Sequence, residues 1–182
     1  FGLGAPDPAP GPPVALLLHG TSWRNKEYPQ VLWQSVAAEA AAAGYQVALT
    51  WNDAVERRRA EAIAAAVGGQ VWSRMALPAL IDRLRGVSLT IGVDSGIGHL
   101  AAAIGIPSVG LYGASDAIRT GLKGPRAQSL AAEFACAPCL QRRCSYRGPS
   151  VSLDGETIVP ACYSTLPPAT VWQTAQQLIA RG

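Results

Sequence analysis

The chain has 182 residues, of which 49% are hydrophobic and 15% charged, and its formal net charge is +3. This composition excludes a disordered chain, which would combine few apolar residues with a high charge. The mild charge also gives no concentrated basic stripe, so we expect no nucleic-acid partner. No apolar run approaches the roughly 18 residues of a membrane span, and we expect that this chain does not cross a bilayer by itself.

The first residues are rich in Pro, Gly and Ala and have no basic start. We therefore interpret residues 1–13 as a linker and not as a signal peptide. A chain that begins with a linker is expected to be a piece of something larger. Residues 14–182 are expected to form one domain.

Short apolar runs then alternate with helical segments. Val14–Leu18 is a continuous apolar run, which is typical of a buried parallel strand. Further strands are predicted at 45–51, 70–72, 88–93 and 107–111, and helices at 31–43, 54–67, 77–85 and 97–104. The alternation predicts an α/β fold, namely a Rossmann-like doubly wound parallel sheet with helices on both faces.

The pattern becomes irregular from about Gly113 to Thr165, and a last helix is predicted at 168–180. In open parallel sheets, ligands bind outside the carboxyl ends of the strands. We expect the binding site at that edge, where four polar turns follow Leu18, Leu49, Val93 and Leu111.

The segment VDSGIGHLAA at 93–102 carries an acid, a hydroxyl and a glycine from a predicted strand to the start of a predicted helix. A helix N-terminus attracts phosphate through its N–H groups and dipole. Gly96 would let the backbone approach that phosphate closely, and His99, one turn into the helix, could face the same ligand. The alternative is an ordinary helix N-cap made by Asp94 or Ser95, with a structural histidine.

Other nucleotide and hydrolase motifs do not fit. The nucleophile elbow needs glycine two residues before and after the serine, but Val93 and Ile97 occupy these positions around Ser95. No G-x-G-x-x-G motif follows a strand, and no P-loop motif is present. These absences weaken nicotinamide-cofactor and NTPase hypotheses.

Three segments together resemble a known family: VDSGIGHLAA, GLYGASD at 110–116 and LLLHGTSWRNKEYP at 16–29, with Trp172 also matching. The combination resembles the lipopolysaccharide heptosyltransferases of glycosyltransferase family 9, most closely type I. Type II or a later heptosyltransferase stays open. The resemblance runs from about Leu16 to the end. It implies the C-terminal half of a GT-B enzyme, the half that binds the donor ADP-L-glycero-β-D-manno-heptose.

The resemblance implies roles for five residues of the nucleotide side. Thr21 and Ser22 would meet the diphosphate, and Lys26 would be a catalytic point charge for the leaving phosphate. Glu56 would hold the ribose hydroxyls, and Met75 would lie against adenine. The alternatives are a solvated lysine, an ordinary first-turn acid and a core methionine.

The same resemblance implies that Asp94 binds heptose hydroxyls. Ser95, Gly96 and His99 would surround the diphosphate, with His99 as a further catalytic candidate. Donors aimed at the leaving phosphate lower the barrier without a metal, so no cofactor is expected for catalysis.

The reaction implied is inverting transfer of heptose to Kdo-lipid A in lipopolysaccharide inner-core synthesis. The enzyme would be cytoplasmic, with a peripheral contact to the inner face of the bacterial inner membrane. In the family the acceptor site and the aspartate base belong to the N-terminal half, which this chain is expected to lack. We expect it to bind ADP-heptose or ADP and not to transfer heptose alone.

All four cysteines lie in a loop expected at 134–165. Cys136 and Cys139 form a C-x2-C pair, with Cys144 and Cys162 further on. Four such thiols can form a tetrahedral structural zinc site, although the second pair departs from zinc-ribbon spacing. Reduced thiols and disulfides are the alternatives.

Two other functions stay open. One is another GT-B enzyme or an epimerase that uses a UDP-sugar; residues near 51–56 and Met75 would select uracil over adenine. The other is a noncatalytic nucleotide-sensing or metal-binding module built on the cysteine loop.

Overall fold

The computed structural model describes residues 11–181, so most of the linker expected at 1–13 lies outside the described residues. Eight strands and six α-helices follow along this part of the chain. The strands are β1 (Val14–Leu18), β2 (Gln46–Leu49), β3 (Gln70–Val71), β4 (Leu89–Val93), β5 (Ser108–Tyr112), β6 (Ala127–Ala131), β7 (Ser152–Leu153) and β8 (Glu156–Thr157). The helices are α1 (Gln30–Ala42), α2 (Ala54–Ala65), α3 (Leu77–Leu84), α4 (Gly96–Ala103), α5 (Ala117–Thr120) and α6 (Pro168–Ala180).

Six strands form one parallel sheet in the order β3-β2-β1-β4-β5-β6. The predicted Rossmann-like fold is therefore confirmed. The strand order reverses between the neighbours β1 and β4: β2 and β3 are added on one side of β1, and β4, β5 and β6 on the other. The crevice at such a reversal is where doubly wound folds bind ligands. A ligand site is thus expected at the turns after β1 and β4.

The sheet is buried on both faces because the apolar runs of its strands point alternately to each side. Ala15 and Leu17 of β1 belong to a core formed with α1, α2 and α6. Leu16 and Leu18 belong to a second core on the opposite face, with α3 and α4. This explains why the strand at 14–18 has no polar position.

Local signals set the helix ends. Asp53 caps α2 by accepting hydrogen bonds from the N–H groups of Val55 and Glu56, both at 2.8 Å. Gly44 follows α1 in the left-handed region, with φ of 86°. Within residues 11–181, no helix combines the length and apolar character needed to cross a membrane.

The expectation of an irregular segment at 113–165 is wrong in part. This segment holds α5, the sixth strand of the main sheet, the β7–β8 hairpin and a 3-10 helix at Ala161–Thr165. β6 has the sequence AQSLA and is only half-buried, because it lies at the sheet edge. It therefore lacks the apolar run that marks the inner strands. The other predicted boundaries differ from the structure by one or two residues, and the last helix spans the predicted range.

Candidate functional site

The site forms around the N-terminus of α4, directly after β4. Ser95 is the N-cap, with an extended backbone, and its hydroxyl accepts a hydrogen bond from the N–H of Gly98 at 3.4 Å. Gly96 is the first helical residue and is exposed. Among the described residues, no atom lies within 4 Å of the position that a Cβ on Gly96 would take. The backbone of this turn is thus open to an anion at the positive end of the helix.

A largely buried ion pair lies beside this turn. Lys26 Nζ donates to Asp94 Oδ2 at 2.6 Å, and the two side chains are only 14% and 9% exposed. Thr120 Oγ1 lies 3.5 Å from the same carboxylate oxygen, and His99 Nε2 lies 3.6 Å from Oδ1. The Thr21 hydroxyl donates to the Asp94 carbonyl at 3.2 Å, which joins the β1 turn to the β4 turn.

Asp94 is ionised in this setting. Burial acts to raise the pKa of its carboxyl, but the hydrogen bond and positive charge of Lys26 hold that pKa below its ordinary value. Ser115 and His99, which lie beside the carboxyl, act in the same direction. The site therefore holds the negative Asp94 carboxylate in an ion pair with Lys26.

Lys26 itself is held by aromatic residues and backbone contacts. Its Nζ lies 4.4 Å from the centre of the Trp23 ring, a cation–π distance. The Tyr163 hydroxyl donates to the carbonyl of Lys26 at 2.6 Å, and Tyr163 packs edge-on against Tyr28 at 5.3 Å between ring centres. A lysine anchored in this way has little freedom to leave the site.

A cavity of about 840 Å³ extends from the α4 turn across the carboxyl ends of β1, β2 and β3. One wall is the start of α2, where Glu56 Oε2 accepts from the N–H of Asn52 at 2.7 Å. Its lining includes Gly20, Thr21, Ser22, Trp51, Asn52, Glu56, Arg74, Met75, Ser95 and Gly96.

Gly20 lets this wall approach the β1 turn. A Cβ on Gly20 would lie 2.7 Å from the carboxyl carbon of Glu56, so a larger residue would push the carboxylate away. Position 20 is therefore part of the site, although its sequence alone gave no reason to select it. The contact between Gly20 and Glu56 joins the β1 turn to the start of α2, two segments that are distant in sequence.

The structure brings all nine predicted binding residues to this edge, in two groups. Six line the cavity: Thr21, Ser22, Glu56, Met75, Ser95 and Gly96. Lys26, Asp94 and His99 form the charged group beside it. Sequence reasoning missed Gly20, Ser115 and Thr120, whose roles come from neighbours and not from a motif, and it included Asn52 only within the residues near 51–56 expected to select the base.

His19, which follows β1 directly, is a buried neighbour of the site. It is 0% exposed, and within residues 11–181 neither ring nitrogen has a hydrogen-bond partner. Burial lowers the pKa of His19 to about 4, and the charge of Arg59 adds to this effect. The imidazole is therefore neutral at pH 7 and has no place among the charges of the site.

The four cysteines do not line the 840 Å³ cavity and form no disulfide. All four line one small cavity of about 20 Å³, together with Asn25. As they stand, no three of the His, Cys, Asp and Glu side chains in residues 11–181 form a group that could hold a metal ion. The four cysteines of the zinc hypothesis thus line one cavity, but within residues 11–181 they do not form a metal site as they stand.

The sequence profile of glycosyltransferase family 9 (heptosyltransferase) matches residues 5–149. This chain belongs to glycosyltransferase family 9. Its relatives in the family include lipopolysaccharide heptosyltransferase 1 of Pseudomonas aeruginosa, which is 35% identical over 169 residues. That match covers 91% of this chain and 48% of the relative, so the chain spans about half the length of that enzyme.

Solved structures of family members share the fold. E. coli heptosyltransferase WaaC with ADP superposes with a TM-score of 0.61 at 28% identity, covering 64% of this chain and 37% of WaaC. The dodecameric iron-containing heptosyltransferase TibC, in complex with ADP-D-beta-D-heptose, gives a TM-score of 0.69 at 18% identity. The superposition covers 100% of this chain and 48% of TibC. At that identity the TibC likeness concerns the fold alone.

Proposed function

We propose that this chain is the donor-binding half of an inverting lipopolysaccharide heptosyltransferase and that ADP-heptose binds in the cavity after β1 and β4. The observation that carries the proposal is the convergence of an anion-ready helix N-terminus, the Lys26–Asp94 pair and a cavity of about 840 Å³. A cavity of this size suits a nucleotide-sized ligand. Family membership and the ADP bound to the related WaaC support the same conclusion.

The geometry supports one orientation of the donor. The diphosphate would lie at Gly96, where the helix N-terminus is open, with Ser22 and Thr21 opposite. The nucleoside would extend toward α2, so that Glu56 accepts hydrogen bonds from ribose hydroxyls and Met75 lies against the base. The heptose would then lie near Asp94, whose carboxylate can accept from sugar hydroxyls.

In the proposed reaction, the bond between the anomeric carbon and the diphosphate oxygen breaks, and its electron pair leaves with ADP. Lys26 and the α4 N-terminus stabilise the charge that develops on the leaving phosphate. These groups supply the electrophilic assistance directly, so the proposed transfer uses no metal. An acceptor hydroxyl attacks the opposite face of the anomeric carbon, which inverts its configuration.

The acceptor side would belong to the other half of a GT-B enzyme. There we place the Kdo-lipid A site and the carboxylate that takes the proton of the attacking hydroxyl. The complete enzyme would work in the cytoplasm, peripheral to the inner membrane. The isolated chain should bind donor without transferring heptose, and detectable transfer by the purified chain would contradict this division of labour.

Calorimetric titration of the chain with ADP, and separately with UDP, tests the proposal. We expect tighter binding of ADP, and loss of that binding in Lys26→Ala. The matched control is Lys123→Ala, which removes the same charge from the chain's other lysine, an exposed residue that does not line the cavity.

The outcomes separate the alternatives. Equal or tighter binding of UDP would indicate another GT-B enzyme or an epimerase that uses a UDP-sugar. No binding of either nucleotide by a folded chain would contradict donor binding by this half alone. Equal loss of affinity in Lys123→Ala would show a general charge effect and no specific site.

A further inference from the structure

A second cavity, of about 690 Å³, shares no lining residue with the cavity of about 840 Å³ proposed for the donor. Both cavities adjoin the loop that follows β1. Thr21 and Ser22 of this loop line the donor cavity, whereas Arg24 and Glu27 line the second cavity. The volume of the second cavity lies within the range of ligand sites in proteins, and nothing in the proposed transfer uses it.

Three arginines from separate parts of the chain line the second cavity. Arg24 belongs to the 3-10 helix at Arg24–Lys26, Arg59 to α2 and Arg143 to the loop after β6. Among the residues that the structure describes, Glu27 is the only carboxylate in the lining. The lining therefore carries an excess of two positive charges, which favours an anionic ligand.

Arg59 has donor capacity that its neighbours leave unused. Its Nη2 donates to Glu27 Oε2 at 2.6 Å, and the two side chains are only 16% and 25% exposed. Its Nη1 is buried and has no hydrogen-bond partner within residues 11–181. A buried N–H group without an acceptor is unfavourable. An oxyanion in the cavity would supply that acceptor.

The start of α1 adds further donors to the same cavity. Pro29 and Gln30, the N-cap and the first residue of α1, both belong to the lining. In the part of the chain that the structure describes, no side chain caps this helix, and its first turn contains no acidic residue. The positive end of a 13-residue helix is therefore left without a compensating charge beside the three guanidinium groups.

We propose that the second cavity binds the phosphate group of a phosphomonoester, with Arg24, Arg59 and Arg143 as its ligands. A guanidinium group matches phosphate oxygens with two parallel hydrogen bonds. A phosphomonoester carries about two negative charges at pH 7, which matches the charge excess of the lining. The apolar residues Val159 and Pro160 also line the cavity, which is much larger than one phosphate group and has room for the carbon part of the ligand. This site does not depend on donor binding.

Glycerol 3-phosphate is the soluble probe, and NMR of the isotope-labelled full chain locates its binding. At fixed ionic strength, we expect the amide signals of Gln30 and Arg143 to shift along one common saturation curve. Gly96 reports on the donor cavity in the same spectra, and ADP should shift Gly96 without shifting Gln30 or Arg143. Succinate has the same charge but only planar carboxylates, and it should bind at least about fivefold more weakly.

Variants assign the phosphate ligands. Arg24→Ala and Arg143→Ala should each weaken the binding of glycerol 3-phosphate about 10-fold, because each removes a charge-assisted hydrogen bond. Both side chains are exposed, so both variants are expected to fold. The matched control is Arg147→Ala, which removes the same charge from the same loop. Arg147 does not line the cavity, and its variant should keep the affinity within about twofold. ADP affinity is measured separately for each variant, so that a failure of the proposed donor site is recognised independently.

Vesicles distinguish a lipid-borne phosphate from a soluble one. Phosphatidic acid presents the same glycerol phosphate monoester on a membrane, whereas phosphatidylglycerol presents a phosphodiester with a single charge. A lipid source predicts that the chain cosediments with phosphatidic acid vesicles and that Arg143→Ala reduces this binding. A soluble source predicts binding of glycerol 3-phosphate without cosedimentation. Either result supports a phosphomonoester site.

Three results would overturn the proposal. One is that neither glycerol 3-phosphate nor phosphatidic acid vesicles bind. Another is that the probe shifts Gly96 but neither Gln30 nor Arg143, or that succinate or phosphatidylglycerol binds as well as the phosphomonoester. The third is an equal loss of affinity, or no loss, in Arg143→Ala and Arg147→Ala, because attraction to the net charge alone would have that result.

Discussion

The opening above Gly96 leads to a prediction in which binding and stability change in opposite directions. In Gly96→Ala, the new methyl group points into space where, within residues 11–181, no atom lies within 4 Å. The native φ is outside the left-handed range, so alanine fits the backbone without strain. Replacing glycine by alanine at such a position stabilises a protein by about 0.4–1 kcal/mol. The melting temperature should rise by about 1–4 °C.

The same methyl group would occupy the approach of the diphosphate. If it removes one charge-assisted hydrogen bond to the α4 backbone, the cost is about 1.5–3 kcal/mol. That corresponds to a loss of ADP affinity of about 10- to 100-fold. A purely structural N-cap would give the stability gain without this loss, so the two interpretations of the VDSG turn separate.

The measurement pairs calorimetric ADP titration with thermal unfolding, and Gly98→Ala is the control. Gly98 lies two residues further along the same helix, and its Cβ would meet Leu122 and Ser95 at 3.6 Å, an ordinary contact. It does not line the cavity. We expect Gly98→Ala to keep ADP affinity within about twofold. The reasoning fails if Gly96→Ala binds ADP as tightly as the unmodified chain, or if both variants lose affinity equally.

Three further predictions follow from buried or close contacts. The pKa of His19 is about 4 in the folded chain and 6.5 in the unfolded chain. Between these pH values the unfolded state binds more protons than the folded state. The free energy of unfolding therefore falls as the pH drops from 6.5 to 4. Urea unfolding should show a loss of about 3 kcal/mol from pH 6.5 to pH 4 that is absent in His19→Leu; equal pH profiles would contradict this. Gly20→Ala should displace the Glu56 carboxylate and lower ADP affinity about fivefold with little change in melting temperature, whereas a large fall in melting temperature would show that the contact is structural. Tyr28→Phe removes the 2.7 Å hydrogen bond to the carbonyl of Leu166 and should lower the free energy of unfolding in urea by about 1–2 kcal/mol. The same decrease is expected when the unmodified chain and the variant are compared with ADP bound.

The parallel sheet could be predicted from sequence because its inner strands are buried on both faces. Val14–Leu18 and Leu89–Val93 are apolar at nearly every position, and the chain has no other way to bury such runs. The edge strand Ala127–Ala131 was not predicted, because it is only half-buried and can therefore contain the polar residues Gln and Ser. Burial at an edge depends on which strand lies alongside, and that is a property of the fold.

The candidate site was predictable where a motif lies at a strand end. Asp94, Ser95 and Gly96 follow β4, and topology brings them beside the β1 turn. Thr120 could not be found in this way, because it reaches Asp94 from a short helix 26 positions later in the chain. The spacing of the first three cysteines suggested a cluster, but the arrival of Cys162 depends on how the chain returns from the β7–β8 hairpin.

The hydrogen bond from Tyr163 to the Lys26 carbonyl bears on how this domain should be delimited. The family profile matches this chain as far as residue 149, and every residue assigned here to the donor lies before that point. A fragment cut at 149 would keep all of these side chains but lose the phenol that fixes the lysine loop, along with α6, which covers one face of the sheet. We therefore expect the smallest autonomous unit for donor recognition to extend beyond the stretch that the family profile matches, and expression boundaries drawn from that profile alone would remove part of the support of the site.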